Sequence, residues 1–467
     1  MRIILIFFFL LIIPEVYSQE KQLKYSIEST SVISIGKRPP FWLFSNQYGK
    51  ISAENNSSLL QPSIFKTLTS DKKFDYSFCI EPIIKYDGSG KIYMQQWFGN
   101  VKFYFLQFSA GAKEEFFGNQ DSSLSSGFIL WSKNARPMTK ISFEAPNYTV
   151  VPFTWKYLEF KGGISHGWFD NNEYNNNVWL HHKYGFLRLG GRLPVHISYG
   201  LHHYAQWGGE LEGKKLPNKL KDFKSVFLVR SGGTDAPGSE SLNKLGNHLG
   251  SKVFGLDAEL KGYTFAFYWQ TIFEDGSGYA GRNYKDGLFG FSIHSKGKNK
   301  LISGFVYEFL NTTDQSGRIN ETDSIKPNGL IYELGGNDNY FNNGIYIAGW
   351  SFRDMILGSP LITSPAIMHG NRFNYIQNNK ITAHHFGLEG FIGTINYKFL
   401  YTYTFNYGTN FIPIMPAQSQ HSLFLNTTIS DKLPWNIKLS CSVGADFGKF
   451  YGNNFGIQVS LLKTGCF

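Results

Sequence analysis

Two groups of side chains in this 467-residue chain have the types and spacing to hold a sugar. His202, Tyr204, Gln206 and Trp207 close one segment, and Gln270, Glu274, Asp275 and Arg282 close another. Aromatic faces pack on the C–H surface of a pyranose ring, while amides, carboxylates and a guanidinium bond its hydroxyls. The same polar groups also suit a structural role, bonding one another or tying down a plug, and Trp207 suits an interface anchor. The spacing leaves both roles open.

Catalysis and metal binding find less support. Ser198 and His202 are four residues apart on a segment that reads as a strand. At ~3.3 Å per residue their α-carbons lie roughly 13 Å apart, too far for a direct nucleophile–base bond. The pairs His181-His182, His202-His203 and His384-His385 invite a metal reading. Neighbouring residues on a strand point to opposite faces, so neither member of a pair can join the other on one ion. No catalytic residue, metal or cofactor is therefore assigned.

The elements that must position these groups are strands of an unusual kind. Ile395, Tyr397, Phe399, Tyr401, Tyr403, Phe405 and Tyr407 share one parity, and the residues between them are almost all polar. The same period of two runs through 263–273, 435–447 and 193–201. A wide apolar face opposite a polar one fits strands between lipid and a polar lumen. On that parity His196, Ser198, His202, Tyr204, Gln206, Tyr268, Gln270 and Glu274 face inward. The last segment alternates too, through Phe455, Ile457, Val459 and Leu461 to the terminal Phe467, although Lys463 and Gly465 interrupt the apolar parity. Alone it would also suit the last strand of a soluble sandwich.

Short turns are expected at Asp87-Gly88-Ser89-Gly90, Lys296-Gly297-Lys298-Asn299 and Asp431-Lys432-Leu433-Pro434. Longer polar stretches at 111–138, 207–250, 311–341 and 353–380 read as loops or plug segments. The fold expected is all-β: one transmembrane antiparallel β-barrel of about 18 strands with short helical or loop plug segments. It spans 19–467 and follows a signal peptide at 1–18, in which Arg2 precedes the apolar run Ile3 to Ile13. That run is too short to cross a bilayer, and no later run reaches the ~18–20 apolar residues a membrane helix needs.

Composition agrees. Aromatic residues make up 17% of the chain, with 43 Phe and 27 Tyr, yet mean hydropathy is −0.23. Aromatic girdles with a polar lumen give that combination. Three cysteines, widely spaced, suggest no disulfide framework. The net charge of +10 is spread along the chain, which excludes a nucleic-acid footprint and is compatible with a positive mouth for acidic ligands.

The polar stretches carry the most specific text. Leu124-Ser125-Ser126-Gly127 precedes Ser132-Lys133-Asn134-Ala135-Arg136-Pro137, and Gly200 to Gly209 closes a strand. Gly246-Asn247-His248-Leu249-Gly250, Phe273-Glu274-Asp275, Asn339-Tyr340-Phe341-Asn342-Asn343, Gly349-Trp350-Ser351 and Gly358-Ser359-Pro360-Leu361 follow in order. This ordered series, from about Phe41 onward, resembles the Wzi family of capsule assembly proteins in its Bacteroidota-type branch. The resemblance implies an outer-membrane barrel of about eighteen strands, plugged by helical segments. It also implies a non-enzymatic, lectin-like role in holding capsular polysaccharide or exopolysaccharide at the cell surface. Thr139 stands where the family pattern would lead one to expect a second proline. The partners expected are that polysaccharide, outer-membrane lipid and, during biogenesis, the barrel assembly machinery. Two other functions fit a barrel: a channel for sugars or small acidic solutes, and a lipid-A-modifying barrel enzyme.

Overall fold

The computed structural model describes residues 23–69, 72–232, 244–297, 300–317, 336–372, 374–429 and 433–467. The expected signal peptide lies outside them. Eighteen strands form one antiparallel sheet in which each strand pairs with the next along the chain. The first, Lys24–Ile35, also pairs with the last, Asn454–Cys466, so the sheet closes on itself. Closure pairs the backbone N–H and C=O groups along every strand, which a hydrocarbon surround requires.

The strand Phe74–Tyr86 shows why the sequence chooses this form. Phe74, Tyr76, Ile80, Ile84 and Tyr86 are exposed on the outer face, while Asp75, Ser77, Glu81 and Lys85 are buried on the inner one. In water this arrangement would be inside out. Against lipid it buries polar groups where partners exist and leaves apolar ones on the outside. The strand Ile395–Gly408 follows its expected parity, with Thr402 and Asn406 buried inside and Phe405 exposed outside. Leu193 falls just before the strand Val195–Trp207, and Trp435 just before Ile437–Gly448. In the last strand Phe455, Ile457, Val459 and Leu461 are exposed, and the Phe467 ring lies 5.3 Å from that of Tyr25.

The two ends of the barrel differ. Connections 36–56, 113–138, 208–246, 271–286 and 312–380 all emerge at one end. The two-residue turns at 104–105, 261–262 and 393–394 lie at the other end, with Lys24 and Cys466. Asp87-Gly88-Ser89 is a short turn as expected, but it sits at the end of the long connections. The turns expected at 296–299 and 431–434 belong to the opposite end, and lie partly outside the described residues.

Long connections fold back into the barrel and fill it. Phe44, Phe128, Ile129, Phe341 and Trp350 are buried in one cluster with wall residues Leu180, Tyr268, Leu288 and Val306. The plug is less helical than expected. Among the described residues of the connections that fill it, Phe41–Phe44 and Gly276–Tyr279 are single helical turns, and much of the rest is irregular chain with two short hairpins, Ser351–Phe352 with Met355–Ile356 and His369–Asn371 with Asn374–Ile376. Irregular backbone leaves donors and acceptors unpaired unless side chains meet them, and the wall supplies these. Trp42 Nε1–H donates to Thr402 Oγ1 at 3.0 Å. His385 Nε2 is 2.7 Å from the Leu124 carbonyl, so it carries the hydrogen, and Nδ1 accepts from Thr402 at 2.7 Å. Thr139 opens the strand Thr139–Val150 opposite Ala112, a place in the ladder where a proline would have no amide to offer.

Candidate functional site

A cleft of about 490 Å³ opens at the end of the long connections. One wall is the connection 169–178, which joins the strands Leu158–Trp168 and Trp179–Leu189. The other is formed by the two plug hairpins, with Gln206 from the barrel wall at the edge. Phe169 gives it a partly exposed ring, over the buried rings of Phe352 and Tyr375, and Asp170, Asn171, Asn172, Glu173 and Asp354 give it planar polar groups.

Local bonding holds those amides in one orientation. Asn172 Oδ1 accepts the backbone N–H groups of Tyr174 and Asn175, both at 2.9 Å, and Asn171 Oδ1 accepts that of Asn177 at 2.9 Å. Each oxygen is therefore committed to the turn, and each Nδ2 remains a donor at the cleft. Asn175 is fully used: its Nδ2 donates to Ile345 O at 3.0 Å and its Oδ1 accepts from Ile347 N at 2.9 Å. It ties the connection to the plug.

Arg353 and Asp354 form the two-residue turn of the first hairpin, with φ of 51° and 61°. Asn and Gly favour that turn. Two larger residues held there cost about 1–2 kcal/mol each. Arg353 Nε donates to Asp170 Oδ2 at 2.5 Å, and its guanidinium lies 5.4 Å from the Phe352 ring. Tyr375 donates its hydroxyl to Asp354 Oδ1 at 3.3 Å. Burial and the neighbouring Asp354 carboxylate push the Tyr375 hydroxyl above its ordinary range, so it stays a neutral donor. Three carboxylates (Asp170, Glu173, Asp354) face one guanidinium in the lining. The mouth is acidic here, contrary to the positive one compatible with the overall charge, because the net charge says nothing of where charges gather.

The residues singled out from sequence lie mostly elsewhere. Gln206 is at the cleft, where its Nε2 donates to Gly349 O at 2.8 Å and its Oε1 accepts from Asn247 at 2.7 Å. His202 is buried against Phe128 and bonded to His182 at 3.1 Å. The Tyr204 ring stacks between those of Trp131 and His182. Gln270 accepts the Ile129 amide at 3.1 Å and donates to Gln120 at 2.8 Å. Glu274 accepts the Phe341 amide at 2.7 Å, and burial pushes its carboxyl well above the usual range. Asp275 caps the helix Gly276–Tyr279 through Gly278 N at 2.9 Å, and Arg282 follows that helix. Trp207 is on the outer face, covered by the helix Leu220–Phe227. Parity told which way these side chains point, and plug segments were expected, but not which of these side chains the plug would cover. The run from Phe169 to Asn177, with five Asn among nine residues, was the signal for the cleft.

Two smaller cavities lie at the opposite end. One, about 140 Å³, is lined by Trp42, Asn46, Lys133 and Lys398; the other, about 210 Å³, by Lys113, Glu115, Glu144 and Lys161. The apolar core of the plug lies between them and the mouth cleft.

No family model and no curated relative matches the chain. Among solved structures, the fold is that of outer-membrane-type barrels. It is similar to Wzi of Escherichia coli, described as an outer membrane protein involved in group 1 capsule assembly and a carbohydrate-binding β-barrel. The TM-score is 0.58 at 14% identity, over 93% of this chain and 83% of that one. Pseudomonas aeruginosa OccK5 is similar with a TM-score of 0.47 at 10% identity, over 96% of this chain and 98% of that one. A BenF-like porin from Pseudomonas fluorescens Pf-5 gives 0.46 at 10% identity, with the same coverage of 96% and 98%.

Proposed function

We propose that this chain is a non-enzymatic outer-membrane barrel that binds capsular polysaccharide or exopolysaccharide and supports its assembly or attachment at the cell surface. The observation that carries the reading is the pairing of an apolar plug filling the barrel with a mouth cleft of aromatic and amide groups. A solute channel needs a continuous wet lumen. A polymer-holding protein needs only a mouth. Phe169 offers a partly exposed ring, the amide nitrogens of Asn171 and Asn172 donate, and the carboxylates of Asp170, Glu173 and Asp354 accept from hydroxyls. Such a cleft binds each repeat unit weakly, and a long chain gains retention by rebinding and by engaging many barrels at once. The Escherichia coli barrel of similar fold is a carbohydrate-binding one, which supports the reading. Long connections usually face outward in these barrels, so the mouth would meet the capsule.

Deletion of the protein should release polysaccharide into the medium while synthesis continues. Unchanged surface retention would count against the reading. In a planar bilayer the purified protein should give no steady open-pore current, and a large steady current would move the assignment to a channel.

A further inference from the structure

The segment 208–232 does not fold into the lumen with the rest of the plug. Its helix, Leu220–Phe227, lies against the outside of the barrel. Val195, Ile197 and Tyr199 mark the outward parity of their strand by their exposure. Ala205 and Trp207 share that parity, yet both are buried, in a small cluster with Val226 and Phe223 of the helix. The Phe223 ring is 5.3 Å from Trp207 and 5.3 Å from His181. An eight-residue helix is not stable alone in water, and this docking stabilises it. Lys183, also on the outer wall, donates to the carbonyl of Phe227 at the helix C-terminus, where a cation is favoured.

The height of the helix on the wall is defined by aromatics. Trp168, Trp179 and Trp207 are in register across three adjacent strands at the end of the long connections. A belt of this kind marks the headgroup level of a bilayer. The face turned away from the barrel carries Leu220 and Leu228, 84% and 43% exposed, beside the exposed Lys221 and Lys224. Lys214 and Lys215 are exposed just before it. Of the acids nearby, Asp222 accepts the Lys219 amide at 2.8 Å, Glu212 pairs with Arg372, and Glu210 stands opposite Lys215 in the short hairpin. Leucines and lysines on one face at the headgroup level are the pattern of an interfacial helix.

We propose that Leu220–Phe227, together with Lys214 and Lys215, binds the phosphorylated headgroups of lipids in the leaflet at the mouth end of the barrel. The leucines enter the acyl boundary and the lysines meet the phosphates. This site is separate from the cleft and does not depend on sugar binding.

The test uses the full-length protein in detergent, the probe diphosphoryl lipid A, and native mass spectrometry of retained lipid. The triple variant Lys214→Gln, Lys215→Gln, Lys224→Gln should retain it about a hundredfold less tightly, at roughly fivefold per cation lost. The matching Lys→Arg variant should bind as the unaltered protein does, and dephosphorylated lipid A should bind all three equally weakly. Heat-resistant compact migration of each protein on gels controls for folding. Equal retention of diphosphoryl lipid A by the Gln variant would overturn the proposal. So would its displacement by millimolar inorganic phosphate, which would mark a site for free anions, or failure of the Arg variant to bind.

Discussion

Glu308, on the inner wall of the barrel, accepts the Ser126 amide of the plug at 2.7 Å and the Ser126 hydroxyl at 2.5 Å. Ser125 Oγ and Tyr268 Oη donate to the same carboxylate, each at 2.6 Å. Four donors converge on one buried group, and hydrogen bonds to a carboxylate are stronger than those between neutral partners. Wall and plug are joined at this point.

Glu308→Ala should therefore free the plug without opening the sheet. Each lost bond to the carboxylate is worth about 1.5–3 kcal/mol, and the Ser126 amide is left unpaired. Amide exchange across 113–138 should rise, while the barrel keeps its heat-resistant migration on gels. Unaltered exchange in that segment would remove Glu308 as the anchor.

A second prediction separates the mouth cleft from the luminal residues. Phe169→Ala takes a partly exposed aromatic face from the cleft and should weaken binding of the capsular repeat unit about tenfold, the upper range for an aromatic contact. His202→Ala removes a ring packed inside the plug, so it should lower thermal stability and leave affinity nearly unchanged. Calorimetry on both variants decides. The reverse pattern would return the binding site to the lumen.

This contrast follows from what the sequence could and could not disclose. The period of two at Ile395 to Tyr407 told which side faces lipid, because in a barrel that choice is local to each strand. Eighteen strands and their closure followed from many such segments together. The plug was different. Asn134 Nδ2 reaches Ile356 O at 3.2 Å across 222 residues, and Ser132 Oγ reaches Gly358 O at 2.6 Å. The motifs 132–137 and 358–361 stand far apart in the text and are stitched side by side in the fold. Their residue types were visible, but nothing local shows which segment each will meet. For the same reason the text left His202 and Tyr204 open between sugar contact and packing, and in the fold both are packed.

The plug should also respond to pH. Burial pushes the Asp286 and Asp338 carboxyls up to about 6, and for Asp338 the charges of Asp275 and Asp286 add to the effect. Both residues lie in long connections at the mouth end. A carboxyl raised in the folded state is stabilised there by its proton. Its contribution is full below the unfolded value near 4 and is lost as pH rises through about 6. Amide exchange around 314–317 and 336–343, corrected for its intrinsic rate, should be slower at pH 5 than at pH 7.5. Asp338→Asn should flatten that difference, and a steeper dependence in the variant would exclude Asp338 as its source.

Gly349 gives the most local test of how the cleft is built. Its φ is 58°, and a β-carbon placed there would lie 2.0 Å from the Phe341 carbonyl oxygen. Its carbonyl accepts from Gln206, and the next residue, Trp350, donates its amide to Phe341 O at 3.0 Å. Gly349→Ala meets two costs: about 1–2 kcal/mol for the left-handed backbone and a collision that only movement of the main chain can relieve. The segment 341–354 would have to shift, and with it Phe352, Arg353 and Asp354 of the cleft. The barrel meets this turn through the Gln206 side chain, and the backbone ladder of its strand is not part of the collision. The variant should therefore migrate as a compact barrel, lose polysaccharide binding by tenfold or more, and show faster exchange at Trp350 than at Ile129 in the other half of the plug. A variant that binds normally would show that the Gly349 turn is not needed to shape the cleft.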